Sequence, residues 1–169
     1  MKCNHIEIYP EYDVMLIPFN HILETHNPAI AGILHVGPGE CEEIDEYEKH
    51  VSRDNILWIN PGSENVSFCR NLYPGINIEY TNGEICNIVY KYDVQFNFLT
   101  IDFQESEMRI LDGLGELMTL IDYVYVEISS VDTMLELDIY MKKFQLRNVE
   151  TKWWDGGTWA DVFYARSIR

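Results

Sequence analysis

The chain has 169 residues, 47% of them hydrophobic and 13% aromatic, which is typical of one globular domain with a sizeable core. Its 28 acidic side chains outnumber 12 lysines and arginines, so the formal net charge is -16. Because phosphates and anionic headgroups would be repelled, this charge argues against nucleic acid and membrane surfaces as partners. No apolar run approaches the ~20 residues of a membrane helix, and the start, MKCNHIEIYPEYD, lacks the apolar core of a signal peptide.

The potential metal ligands are not spaced as a metal site requires. The four cysteines form no C-x-x-C pair, and His21 and His26 are five residues apart, a poor fit to one helical face. We therefore predict no metal site and reduced thiols in a cytoplasmic protein.

In chain order, apolar runs of strand length alternate with segments of helical spacing. Strands are predicted over 31–37, 55–61, 96–103 and 122–130, and helices over 18–26, 41–51, 63–72, 106–118 and 133–144. Thr133 and Glu136 form a capping box that would open the last helix.

Two hairpins complete the pattern. Asn82-Gly83 between strand-like runs predicts one within 76–90, and 148–154 with 159–167 flank an Asp-Gly-Gly turn that predicts a closing one. The alternation predicts a single α/β domain over 1–169, with a lead-in over 1–30 and a core over 31–167. Its sheet should be mostly parallel, covered on both faces, with an antiparallel C-terminal hairpin.

The stretch ILHVGPGE, 33–40, is a candidate ligand turn at the end of the first strand. Gly37 and Gly39 let the backbone pass close to a ligand, but the helix that follows begins with a cluster of acids that would repel a phosphate. The G-x-G-x-x-G fingerprint is absent because position 42 is Glu. The turn therefore favours a phosphate-free cofactor with a positive centre, such as S-adenosylmethionine. The alternative is a purely structural connection.

The segment 100–127, TIDFQESEMRILDGLGELMTLIDYVYVE, resembles the FkbM family of S-adenosylmethionine-dependent methyltransferases. The residues that stand in the places of the family pattern are Ile101, Asp102, Glu107, Leu111, Gly113, Ile121, Asp122 and Glu127. ILHVG with CEEI resembles the family's first motif, and WADVFY, 159–164, resembles the motif at the family's C-terminal end. The resemblance implies a Rossmann-like class I methyltransferase fold and O-methylation of a sugar or another small hydroxylated molecule.

The resemblance also implies the site residues. His35, Gly37, Gly39, Asn60 and Asp102 would bind the cofactor. Asp102 and Glu127 would act in catalysis, with Asp102 accepting or orienting the proton of a substrate hydroxyl. A helix N-cap is the alternative role for Asp102.

Three positions depart from the family pattern. Cys41 and Glu105 stand where the family has glycine, and Asn60 replaces the acid that normally holds the ribose hydroxyls. These departures predict weak S-adenosylmethionine binding. They leave open a catalytically inactive protein that acts as a binding or assembly module, with a nicotinamide enzyme as a distant third.

Overall fold

A computed structural model describes residues 15–83, 85–103, 105–154 and 157–166 of the chain. Its strands are β1 Ile33–Val36, β2 Ile56–Asn60, β3 Ile78–Tyr80, β4 Phe98–Ile101, β5 Tyr123–Ile128, β6 Leu146–Trp153 and β7 Ala160–Arg166. Its α-helices are α1 Phe19–His26, α2 Ile44–Tyr47, α3 Ser63–Leu72, α4 Ile85–Val89, α5 Glu107–Leu114 and α6 Val131–Lys142. Short 3-10 turns cover Arg53–Asn55 and Gly115–Thr119.

The strands form one seven-stranded sheet in the order β3-β2-β1-β4-β5-β7-β6. The first five strands are parallel, and β7 runs antiparallel to both β5 and β6. This is the predicted mostly parallel sheet with an antiparallel C-terminal hairpin. The strand order reverses between β1 and β4, and in such sheets ligands bind outside the carboxyl ends of the strands at this point.

Apolar side chains cover both faces of the sheet, as near-continuous hydrophobic strands require. On one face, Leu34 and Leu99 belong to a core that includes residues of α4, α5 and α6. On the other face, Ile33 and Phe98 belong to a core with residues of α1, α2 and α3. None of the described helices is long and apolar enough to cross a membrane.

The predicted hairpin within 76–90 is wrong. Its first half is β3, which pairs in parallel with β2, and its second half is α4. Asn82-Gly83 therefore joins a strand to a helix. Ile85, Ile88 and Val89 are buried in one core at helical spacing, so packing against the sheet overrides the local turn signal.

Two predicted helices begin elsewhere. The helix predicted over 41–51 is shorter, because Cys41 has a left-handed φ of 62° and α2 begins only at Ile44. The last helix begins at Val131, two residues before the predicted cap. Its N-cap is Ser130, whose side chain accepts a hydrogen bond from the Thr133 amide at 3.1 Å.

Candidate cofactor and active site

The turn after β1 is fixed against the end of β4. The Gly37 amide donates to the Ile59 carbonyl at 2.9 Å, and the Asp102 amide donates to the Val36 carbonyl at 3.0 Å. Gly37 has φ +85°, and a Cβ there would overlap the Asp102 carbonyl oxygen. Only glycine fits this position, and the half-buried Asp102 is therefore held beside the turn at the switch in strand order. Asp102 is not the N-cap of α5, because that position belongs to Ser106.

The backbone donors of the turn are largely engaged within the protein. The Cys41 amide donates to the Pro38 carbonyl at 2.6 Å, and Pro38 has no amide hydrogen of its own. The Glu40 amide donates to the Glu42 carboxylate at 3.1 Å. The same carboxylate lies 3.4 Å from the position that a Cβ on Gly39 would occupy. Glu42 therefore lies in the turn where an anionic ligand group would be expected to dock.

Asn60 joins the same turn to the start of α3. It is only 3% exposed, and its Nδ2 donates to the Gly39 carbonyl at 3.1 Å. Its Oδ1 accepts from the Gly62 amide at 2.7 Å. Both polar atoms of the side chain have partners, so a ribose hydroxyl would compete with bonds that hold the turn.

A cavity of about 410 Å³ opens at the carboxyl ends of β1 to β4. Its walls include Val36 at the end of β1, Pro61 after β2, Thr81 after β3, Phe103 after β4, and Arg109 of α5. This size lies within the range of small-molecule sites, roughly 300–1,000 Å³. Thr81 was missed from the sequence, because the mistaken hairpin hid the end of β3. Arg109 lies in the helix predicted over 106–118, where its sequence position gave no sign that it lines a cavity.

A row of carboxylates crosses the same edge of the sheet. Asp102 and Glu127 directly follow the paired residues Ile101 and Val126 of β4 and β5. Glu127 is paired in register with Asp161 of β7. The structure thus brings the two predicted catalytic acids to adjacent strand ends and adds a third acid.

Asp161 is the acid that sequence reasoning missed as a site residue, although it lies in the WADVFY motif. It is fully buried and accepts hydrogen bonds from the Tyr125 hydroxyl and, at 3.1 Å, from the Ile17 amide. Burial raises the pKa of its carboxyl, although these hydrogen bonds oppose the shift. Asp161 ties the segment before α1 to the closing hairpin.

His35 lies in the core below the turn. Its ring stacks on Trp58 with centroids 5.0 Å apart, and Nδ1 lies 3.3 Å from the Tyr47 hydroxyl. Burial lowers its pKa to about 3, so the imidazole is neutral. Nε2 has no hydrogen-bond partner among the described residues. A direct contact between His35 and a ligand would require this core to open.

The two positions where the resemblance expects glycine both have left-handed backbone. Cys41 has φ +62° and Glu105 has φ +61°. The Cys41 sulfur lies 3.2 Å from that of Cys69, and both are free thiols. The glycine-like geometry is therefore kept without the glycine, at a cost of roughly 1–2 kcal/mol per residue.

The two histidines of α1 bind a carboxylate. Nε2 of His21 and Nε2 of His26 lie 2.9 and 2.7 Å from the two carboxylate oxygens of Glu150 in β6. Within the described part of the chain, no group of histidine, cysteine and acidic side chains is suited to hold a metal ion.

No protein-family model matches the chain, and no curated protein is similar to it in sequence. Solved structures are similar to it in fold. One is M. capricolum TrmK in complex with S-adenosyl-homocysteine, at 11% identity and a TM-score of 0.62, covering 81% of this chain. The chain spans 62% of that protein, which is less than two thirds.

Two further structures are similar at the same level. A putative tRNA (m1A22) methyltransferase from Streptococcus pneumoniae, with S-adenosyl-L-methionine, is 16% identical over 82% of this chain and 68% of its own, with a TM-score of 0.58. A ribosomal protein L11 methylase from Lactobacillus delbrueckii subsp. bulgaricus is 13% identical over 87% and 75%, with a TM-score of 0.62. Together with the strand order, they confirm the Rossmann-like methyltransferase fold. Membership of the FkbM family stays a prediction.

Proposed function

We propose that the chain is an S-adenosylmethionine-dependent methyltransferase whose acceptor is a hydroxyl of a sugar or another small molecule. The observation that carries this proposal is the cavity at the carboxyl ends of β1 to β4, beside the turn that Gly37 fixes against Asp102. In open α/β sheets, this is the place where ligands bind. The solved structures of the same fold that hold S-adenosylmethionine or its product support the choice of cofactor.

The cavity offers groups that suit the adenosine part of the cofactor. Tyr80 and Phe103 expose their rings on its wall and are suited to pack against a purine. Thr81, Asn82 and Ser106 offer hydroxyl and amide groups for hydrogen bonds. Because Asn60 is engaged with the turn, we assign the ribose hydroxyls to these side chains in preference to Asn60.

Catalysis rests on positioning and on the carboxylates at the strand ends. The cofactor, when bound, supplies a methyl group on a positively charged sulfonium. Asp102 would accept the proton of the acceptor hydroxyl, and Glu127 would orient that hydroxyl from the adjacent strand. The main contribution of the protein would be to hold donor and acceptor at near-attack distance. The carboxylates of Asp102 and Glu127 would also match the positive charge of the sulfonium.

The charge of the chain favours a small acceptor over a nucleic acid. One of the similar proteins is a putative tRNA (m1A22) methyltransferase, but at 14–16% identity the similarity extends only to the fold. Here Glu40, Glu42 and Glu43 follow the turn directly, and the net charge is -16. A polyphosphate backbone that approached this edge would meet like charge.

A second candidate function is that of a binding or assembly module without catalysis. It is favoured by the turn itself, whose Glu40 amide and Asn60 side chain already have partners within the protein. A turn that serves only to connect β1 with α2 would be expected to satisfy its own polar groups in this way.

Calorimetry with S-adenosylhomocysteine separates the two candidates, followed by a methyl-transfer assay over hydroxylated small molecules. If the chain is an enzyme, the wild type should bind the ligand, and Glu127→Gln should lose methyl transfer while it keeps binding. If neither the wild type nor the Glu42→Gln variant binds the ligand, the proposal of a methyltransferase is replaced by that of a binding or assembly module.

A further inference from the structure

The solvent face of α6 carries an apolar stripe with no partner in the described fold. Val131, Leu135 and Ile139 are 53%, 53% and 65% exposed and follow one another at every fourth position. Residues at this spacing lie on one face of a helix. The opposite face, with Leu137 and Met141, is buried in the core. An exposed stripe of this length is typical of an interaction surface.

Charged side chains beside the stripe are divided between the two halves of the helix. Asp132 and Glu136 are exposed near its beginning, and Lys142 and Lys143 are exposed at its end. When two such helices pack in opposite directions, the acidic half of each lies against the basic half of the other. The surface is therefore complementary to itself, which is what a two-fold symmetric interface requires.

We propose that two copies of this chain associate through antiparallel packing of their α6 helices. In the arrangement that fits the sequence best, Leu135 of each copy lies opposite Ile139 of the other. The same register places Asp132 opposite Lys142 at both ends of the contact. A second copy of the chain, turned in the opposite direction, presents the complementary charge pattern to this surface. We therefore choose a second copy as its partner.

The location of α6 leaves the candidate site open in such a dimer. The helix packs against β5 and β6, whereas the cavity is lined by residues at the ends of β1 to β4 and on α4 and α5. The inference therefore does not depend on the proposed function. A helix of 12 residues is about 18 Å long, so the contact is at the small end of specific interfaces, below about 1,200 Å². We expect a reversible dimer in the micromolar range.

Sedimentation velocity over a concentration series tests the interface. The wild type should move from monomer to dimer as concentration rises. Leu135→Glu should raise the dissociation constant by at least about tenfold. Leu72→Glu is the matched control, since Leu72 is 52% exposed on α3 at the other edge of the sheet. It should dimerise as the wild type does, and circular dichroism should show that all three proteins are folded.

Charge reversal tests the direction of packing. Asp132→Lys and Lys142→Asp should each weaken the dimer, although they move the net charge of the chain in opposite directions. The double variant should restore it, because the two ion pairs form again with reversed sign. The proposal is overturned if the wild type stays monomeric throughout the series, or if Leu135→Glu dimerises like the control. Single reversals without effect would overturn the antiparallel register and assign the charges to the helix dipole.

Discussion

Glu42 is the side chain whose removal should most improve cofactor binding. Its carboxylate accepts the Glu40 amide at 3.1 Å and lies 3.4 Å from the Cβ position of Gly39. The amino-acid end of S-adenosylhomocysteine also carries a carboxylate, which would approach the same donors. Glu42→Gln removes the competing charge and keeps nearly the same side-chain volume. It leaves only a neutral, weaker acceptor for the Glu40 amide, so a ligand carboxylate competes for that amide more easily.

The size of the gain follows from charge repulsion at an exposed position. Two unit charges 4 Å apart repel by about 1 kcal/mol in water. Glu42 is exposed, so the aqueous value applies rather than the larger value for a protein interior. A change of about 1 kcal/mol corresponds to roughly fivefold tighter binding. Added salt should reduce this difference because it screens exposed charges.

Isothermal titration calorimetry with S-adenosylhomocysteine measures the effect. Asp45→Asn is the matched control, because it removes one negative charge at an exposed position in α2, three residues after Glu42. The expected order of affinity is Glu42→Gln above Asp45→Asn, with the latter close to the wild type. Equal gains in both variants would mean that only the overall charge matters and that Glu42 does not occupy the ligand position.

Three further changes test the turn and the link between α1 and β6, with urea unfolding as the measurement. Gly37→Ala should cost more than about 3 kcal/mol, because a Cβ would overlap a backbone carbonyl oxygen in a left-handed position. Asn60→Asp should cost about 1–3 kcal/mol, because an acceptor would replace the buried donor to the turn. In Glu150→Gln, the free energy of unfolding should fall less steeply than in the wild type as the pH is lowered. Burial raises the pKa of Glu150, but hydrogen bonds from the two α1 histidines outweigh it and lower the pKa, so its stabilisation is lost as pH falls through the folded pKa.

Each of these changes has a control with the same substitution at a position that lacks the contact. Gly75 has the same φ of +85° with nothing within 4 Å of a Cβ, so Gly75→Ala should show only the backbone cost of about 1–2 kcal/mol. Asn65→Asp, at an exposed amide in α3, is the control for Asn60→Asp. Glu64→Gln, at the exposed acid beside it, is the control for Glu150→Gln. If a control matches its test variant, the contact described here is not the cause.

Most of the fold could be predicted because burial is periodic in the sequence. The strands that became β1, β2, β4 and β5 are apolar runs, as fully buried parallel strands must be. Helix α3 has the predicted bounds, 63–72, and Pro74-Gly75 follows it. The exception, the hairpin at Asn82-Gly83, shows the limit of local signals. A two-residue turn motif was given more weight than the helical spacing of the three buried residues in α4.

The candidate site was only partly predictable. Gly37 and Asp102 could be placed together, because strand ends at the switch point must be neighbours. The hydrogen-bond partners of Asn60 could not be predicted, since they depend on the direction of the Gly39 carbonyl. The end of β3 was hidden by the hairpin error, and with it Thr81 on the cavity wall.

Of the four described non-glycine residues with positive φ, two, Cys41 and Glu105, follow the strands at the switch in strand order, which is a reason to prefer a ligand site over a simple connection. Both have positive φ without being glycine, which costs roughly 1–2 kcal/mol each. Such strain tends to persist at functional sites, where the surrounding structure enforces it. Here one strained residue follows β1 and the other follows β4, and these strands are neighbours on either side of the switch in strand order. A turn that served only as a stable connection would be expected to have glycine at both positions.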